Sequence, residues 1–135
     1  MKATVETTLV HSELSYKIIG CCMSVYNQLG SGHKEKVYQK ALELSLKNAG
    51  LKFKEEVSCP IYYDEVQVGL GRADIIVEDT IIIELKRTSF FSPADFTQLN
   101  RYLISKKLEL GIMFRFAPDR LIYRRVVNFR NPVII

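Results

Sequence analysis

The sequence predicts an α/β protein, with a mixed central β-sheet flanked by helices. Three observations predict it. Apolar residues recur at three- and four-residue spacing in two stretches before residue 50 and in one between 93 and 107, the period of amphipathic helices. From Leu51 to Lys86, and again after Glu109, they alternate or gather into short β-branched blocks, the pattern of strands. A helix also separates the two strand groups, so the strand after it returns by a crossover and pairs in parallel.

The elements follow in order. In HSELSYKIIGCCMSVYNQLG, Leu14, Ile18, Cys22, Val25 and Leu29 form one face, with Ser12 as N-cap and Gly30 as the stop. A second helix runs from about Lys34 to Ala49, with a stripe of Tyr38, Ala41, Leu42, Ser45 and Ala49, and Gly50 suits the left-handed residue past its end. Four strands follow, one in LKFKEEVSC, one in IYYDEVQVG with its turn at Asp64-Glu65, and two in the hairpin RADIIVEDTIIIELK. Pro60 marks a boundary or a bulge, and the hairpin turns at Glu78-Asp79-Thr80. Ser92-Pro93 opens the third helix, which ends near Lys106 or Lys107 with Phe96, Leu99 and Leu103 inward. Two strands near Glu109 to Phe114 and Arg120 to Val127 close the order, separated by Ala117-Pro118-Asp119.

With 135 residues, 47% of them hydrophobic, the chain can bury a core without staples, and residues 1–135 are expected to be one domain. Its apolar runs are broken by charges well short of the ~20 residues of a membrane span. MKATVETTLVHSELS lacks the layout of a signal peptide, so the expected location is cytoplasmic. Cys21, Cys22 and Cys59 have neither disulfide-framework nor zinc spacing and read as small core residues. The net charge of +4 leans toward a polyanionic partner. Much of it lies late in the chain, where Lys106, Lys107, Arg115, Arg120, Arg124, Arg125 and Arg130 are interleaved with Phe114, Phe116, Tyr123 and Phe129. A solvated, mixed-charge face accounts for the same pattern.

The hairpin raises a chemical question, because RADIIVEDTIIIELK is nearly all apolar between Asp74 at one end and Glu84 and Lys86 at the other. A three-residue loop at 78–80 pairs Val77 with Ile81, Ile76 with Ile82 and Ile75 with Ile83, which sets Asp74 across from Glu84. Opposed carboxylates repel unless something neutralises them. Strand alternation places Lys86 on the same side as Glu84. Two hard oxygen ligands and a nearby ammonium suit a Mg²⁺ site that assists phosphodiester cleavage. The same spacing also arises where a strand simply emerges into solvent.

Gly32, Glu35 and Tyr38 spell G-x-x-E-x-x-Y, followed by YQKALE, RAD at 72–74, ELK at 84–86 and QLNRYL at 98–103. Over residues 14 to 127 the chain resembles the GxxExxY proteins, a branch of the PD-(D/E)xK nuclease superfamily. The resemblance implies a restriction-endonuclease-like αβββαβ core with an extra N-terminal helix. It also implies a Mg²⁺- or Mn²⁺-dependent nuclease site at Asp74, Glu84 and Lys86, acting on nucleic acid, DNA foremost. Glu35 is then a further metal-site carboxylate, reaching the ion directly or through water, and Gln98 resembles the helix glutamine that some members place near the lysine and the scissile phosphate.

Glu35 also suits the helix dipole, Tyr38 serves equally as a core aromatic, and Gln98 shares a helix face with Tyr102. Arg72, on the strand face of Asp74, could bind phosphate or pair with an acid, the ion pair being the preferred reading. Arg72, Tyr38 and Tyr102 are therefore the candidate substrate contacts. His11 and His33 read as exposed polar residues, and Arg115 stands where the family pattern leads to asparagine. Members can lose catalysis, so the alternative function is an inactive nucleic-acid- or protein-binding module. A homodimer would supply the two sites needed to cut both strands of a duplex.

Overall fold

The computed structural model describes residues 10–128 and 132–134. The opening residues 1–9 and the tail pair Phe129 and Arg130 lie outside the described residues. Helices α1 (Ser12–Leu29) and α2 (Glu35–Asn48) lead into strands β1 (Phe53–Tyr63), β2 (Val66–Val77) and β3 (Ile81–Lys86). Helix α3 (Pro93–Lys106) crosses to β4 (Leu110–Phe116), then β5 (Leu121–Asn128) and β6 (Pro132–Ile134). The strands form one sheet in sequential order β1 to β6. Among the described strands only the β3–β4 pairing is parallel, across the α3 crossover, as the helix between the two strand groups requires.

Alternation along the strands splits the buried residues into two cores. Ile75, Val77, Ile81, Ile83, Ile112 and Phe114 pack under α1 and α2. Ile76, Ile82, Met113 and Val126 pack with Leu99, Tyr102 and Leu103 of α3 on the other face. The hydrophobic effect thus clamps the hairpin from both sides, at roughly 25 cal/mol per Å² of apolar surface removed from water.

Several expectations are corrected. The four strands expected before α3 are three, because pairing continues through Gly69–Gly71 and through Pro60, which faces Leu70. Proline is tolerated there because β1 is the sheet edge, and the register shift comes just beyond it, between Ile61 and Tyr62. Ser12 is the first helical residue rather than the cap, a place taken by His11 in the left-handed region (φ 47°) without a side-chain bond. The buried stripe of α2 is Tyr38, Gln39, Leu42 and Leu46, while Ala49 is exposed. β6 was not foreseen. Ser92 and Asp95 form a capping box at the start of α3, and Gly50 has φ 77° past the end of α2.

Candidate active site

The hairpin register is Val77↔Ile81, Ile76↔Ile82 and Ile75↔Ile83, as the three-residue loop requires. Beyond Ile75 and Ile83 the ladder gives way to side chains. The Asp74 N–H donates to Glu84 Oε2 at 2.8 Å, and the Leu85 N–H donates to Asp74 Oδ2 at 2.7 Å. Each carboxylate therefore satisfies a backbone amide on the opposite strand, fixing both acids at the open end of the hairpin. Sharing the strand face of Ile76 and Ile82, the two acids lie on the α3 side of the sheet.

Lys86 completes the group. Its Nζ donates to Gln98 Oε1 at 3.1 Å and lies 3.6 Å from Asp95 Oδ1 and 4.0 Å from Glu84 Oε1. The capping box decides where Asp95 sits, because Asp95 Oδ2 accepts from the Ser92 N–H at 2.9 Å while Oδ1 turns to Lys86. Gln98 follows three residues later, so α3 presents both to the lysine.

Burial and charge put this pair of acids under tension. Glu84 is 4% exposed. Burial, and then the negative charge of Asp74, push the Glu84 carboxyl up to about 8, against the pull of the Asp74 N–H and Lys86. Asp74 is raised to about 6, mainly by burial, with Glu35 and Glu56 adding repulsion and the Leu85 N–H and Lys86 opposing it. Two hard carboxylates whose ionised forms lack sufficient positive charge fit a small divalent cation.

The other sequence-selected residues are placed less uniformly. Glu35, exposed at the start of α2, accepts the Arg87 N–H at Oε1 (3.1 Å). No three His, Cys, Asp or Glu side chains converge as a ready metal cage among the described residues. Tyr38 is buried, donates to the Gly30 carbonyl at 2.6 Å, accepts from the His33 N–H at 3.2 Å and stacks on Phe116 at 3.8 Å. It holds the 30–33 loop. Tyr102 is buried against Gly71, where an added Cβ would meet its ring at 2.5 Å. Arg72 is exposed, and the ion pair preferred for it does not form among the described residues.

Gln39, Glu56 and Asp95 were not foreseen. Gln39 is buried, and its Nε2 donates to the Asp74 carbonyl at 3.2 Å and lies 3.4 Å from Glu56 Oε2. Its signal was its place four residues after Glu35 on the same helix face. Glu56 adopts a left-handed backbone (φ 49°), unusual for a residue other than glycine, in β1 beside the unpaired stretch at Asp74.

A family model of the PD-(D/E)XK nuclease superfamily matches residues 12–126. The chain belongs to that superfamily. PD-(D/E)XK nucleases generally use divalent metals and act on nucleic acid. The mixed sheet flanked by helices agrees with their restriction-endonuclease-like fold. Among solved structures, the crystal structure of SSO0001 is similar, with a TM-score of 0.56 and 27% identity over 71% of this chain and 50% of that one. The chain thus spans half the length of that protein. A comparison with curated proteins gives no match. No helix among the described residues is long and apolar enough to cross a membrane.

Proposed function

We propose that this PD-(D/E)XK protein is a cytoplasmic, single-domain nuclease of the GxxExxY type that hydrolyses phosphodiester bonds in DNA. The observation that carries the reading is the convergence of Asp74, Glu84, Lys86 and Gln98 at the open end of one hairpin, with both carboxyls driven above their ordinary range.

Asp74 and Glu84 would hold one Mg²⁺ or Mn²⁺. When bound, the ion polarises the phosphate and lowers the pKa of an attacking water. Lys86, tethered by Gln98 and Asp95, orients that water or stabilises the charge that develops on the phosphoryl oxygens. Gln98 keeps the ammonium aimed. Glu35, holding the Arg87 N–H, fixes the strand just past Lys86 and stands close enough to raise both acids, so it suits a water-mediated place at the ion. A homodimer would bring two such sites to a duplex.

The test is divalent-dependent cleavage of DNA by the wild type, Asp74→Ala and Lys86→Ala. The reading expects turnover in the first and its loss in both variants; equal activity in all three removes it. Among the described residues no three His, Cys, Asp or Glu side chains are grouped so as to hold an ion, and this favours a second reading, a binding module that retains the scaffold without turnover. It would bind nucleic acid in a salt-dependent way and cleave none.

A further inference from the structure

Parallel strands β3 and β4 end side by side, and their carboxyl ends open into a cavity of about 310 Å³. Crevices outside the carboxyl ends of such strands are where ligands settle in α/β sheets, and this volume is at the lower end of the ~300–1,000 Å³ usual for ligand sites. Lys86 and Arg87 at the end of β3, Arg115 on β4 and His33 before α2 line it, together with the stacked rings of Tyr38 and Phe116. Among the described residues no aspartate or glutamate does.

The two arginines are the informative pair. Arg115 is half-buried and lines the cavity, and its Nε donates to the Thr88 carbonyl at 2.6 Å, which pins the guanidinium by that one nitrogen. Arg87 extends from backbone that Glu35 Oε1 fixes through the Arg87 N–H. Neither arginine has an ion-pair partner among the described residues, whereas Lys17, Lys36 and Lys54 each lie against a carboxylate. A fixed guanidinium fork without a counter-ion, in a pocket lacking acids, is built for a bidentate oxyanion. Lys86 lines the same cavity and also reaches Gln98 and Asp95, so the pocket is continuous with the candidate active site.

We propose that this cavity seats a backbone phosphate of the substrate strand adjacent to the scissile one, with Arg115 and Arg87 as its cations. The assignment rests on the nucleic-acid reading above, but not on turnover. Arg115 grips the phosphate with its guanidinium, and Arg87 closes over it from the exposed side. The strand is thereby set in register so that its next phosphate falls at Lys86.

The experiment is fluorescence anisotropy of a labelled single-stranded oligodeoxynucleotide, in EDTA and over a salt series, with wild type, Arg115→Gln, Arg87→Gln and Asp74→Asn. Each arginine variant is expected to bind about tenfold more weakly, the worth of one charge-assisted contact. Each should also flatten the slope of log affinity against log salt by about 0.7. Arg87 is exposed, so its variant keeps the fold and carries the test if Arg115→Gln does not fold. Wild-type affinity and slope in Arg87→Gln, or no oligonucleotide binding by the wild type, overturns the proposal. A wild type that binds in EDTA and shows the flattened slopes in the variants, yet cleaves nothing when Mg²⁺ or Mn²⁺ is restored, sinks the nuclease reading and leaves this one standing. Inorganic phosphate added at constant ionic strength separates the sources. Displacement only at concentrations far above those of the oligonucleotide supports a strand phosphate, whereas equal potency points to a free-phosphate site and overturns it.

Discussion

Asp74 and Glu84 are locked across the hairpin by crossed hydrogen bonds, the Asp74 N–H to Glu84 Oε2 at 2.8 Å and the Leu85 N–H to Asp74 Oδ2 at 2.7 Å. The arrangement positions two acids without relaxing their mutual repulsion. Local geometry and global stability are set against each other here, as is common where a fold carries chemistry.

That conflict predicts a pH dependence. Both carboxyls titrate higher in the folded protein than in an unfolded chain, so the folded state binds their protons more tightly. Their contribution to stability is fully present below the ordinary carboxylate range and is lost as pH rises through about 6 for Asp74 and about 8 for Glu84. Metal-free protein should lose stability between about pH 4 and pH 8. Glu84→Gln, which can still accept from the Asp74 N–H, should flatten that decline and be more stable than wild type at pH 8 by about 1–3 kcal/mol. Denaturant unfolding across this range checks it, and a wild-type curve that rises with pH contradicts it.

Metal and protons should compete for the same oxygens. Mg²⁺ or Mn²⁺ is expected to raise the melting temperature at pH 8 and to lose that effect progressively toward pH 5, because the ligands must be deprotonated. At a hundredfold excess over the dissociation constant the stabilisation is about 2.7 kcal/mol. Thermal melts of the wild type and Asp74→Ala measure this. A metal-induced shift of equal size in both would place the ion elsewhere.

Lys86 and Gln98 should separate in kinetics. Removing the ammonium with Lys86→Ala is expected to lower single-turnover cleavage by about 10² to 10³, the usual cost of one donor aimed at developing charge. Gln98→Ala leaves the ammonium in place but loosens its aim, and a loss of about tenfold is expected with KM unchanged. A Gln98 variant as damaged as Lys86→Ala would give the glutamine a more direct part.

Gly111 ties the fold to the site. A Cβ there would come within 2.7 Å of Leu99 Cδ1, in the core beneath α3. Gly111→Ala should cost about 1–3 kcal/mol by overpacking. Because α3 carries Asp95 and Gln98 to Lys86, activity should fall together with stability. Unfolding and cleavage measured on the same preparation decide it, and intact activity at reduced stability would uncouple the helix from the lysine.

The parts legible in advance were those fixed by local chemistry. Turn residues at 78–80 set the hairpin register, and register alone brings Asp74, Glu84 and Lys86 to one face. Ser92-Pro93 placed the start of α3, and with it Gln98. Long-range choices were not legible. Gln39 is polar and lies outside the stripe that the apolar spacing defines, yet it is buried and its Nε2 donates to the Asp74 carbonyl. The Ser92-x-x-Asp95 spacing announces a capping box, but nothing local says that the second oxygen of Asp95 faces Lys86. Pro60 reads as a boundary or a bulge, and the register shift does come just beyond it, but the sequence does not reveal that β1 lies at a sheet edge where pairing can run through the proline. The cavity at the ends of β3 and β4 depends on a parallel pairing across the α3 crossover, so the placing of Arg115 and Arg87 in one lining had no signature along the chain.

The central claim, that Asp74 and Glu84 share one divalent ion, is tested most directly by anomalous diffraction from a crystal grown with Mn²⁺ at about pH 8, where both acids can ionise. The account predicts one peak between the two carboxylates, about 2.1–2.2 Å from an oxygen of each, with the Lys86 ammonium beside it and Gln98 still in contact. Manganese bound elsewhere, or no peak between the two acids in crystals that retain the hairpin, would contradict it.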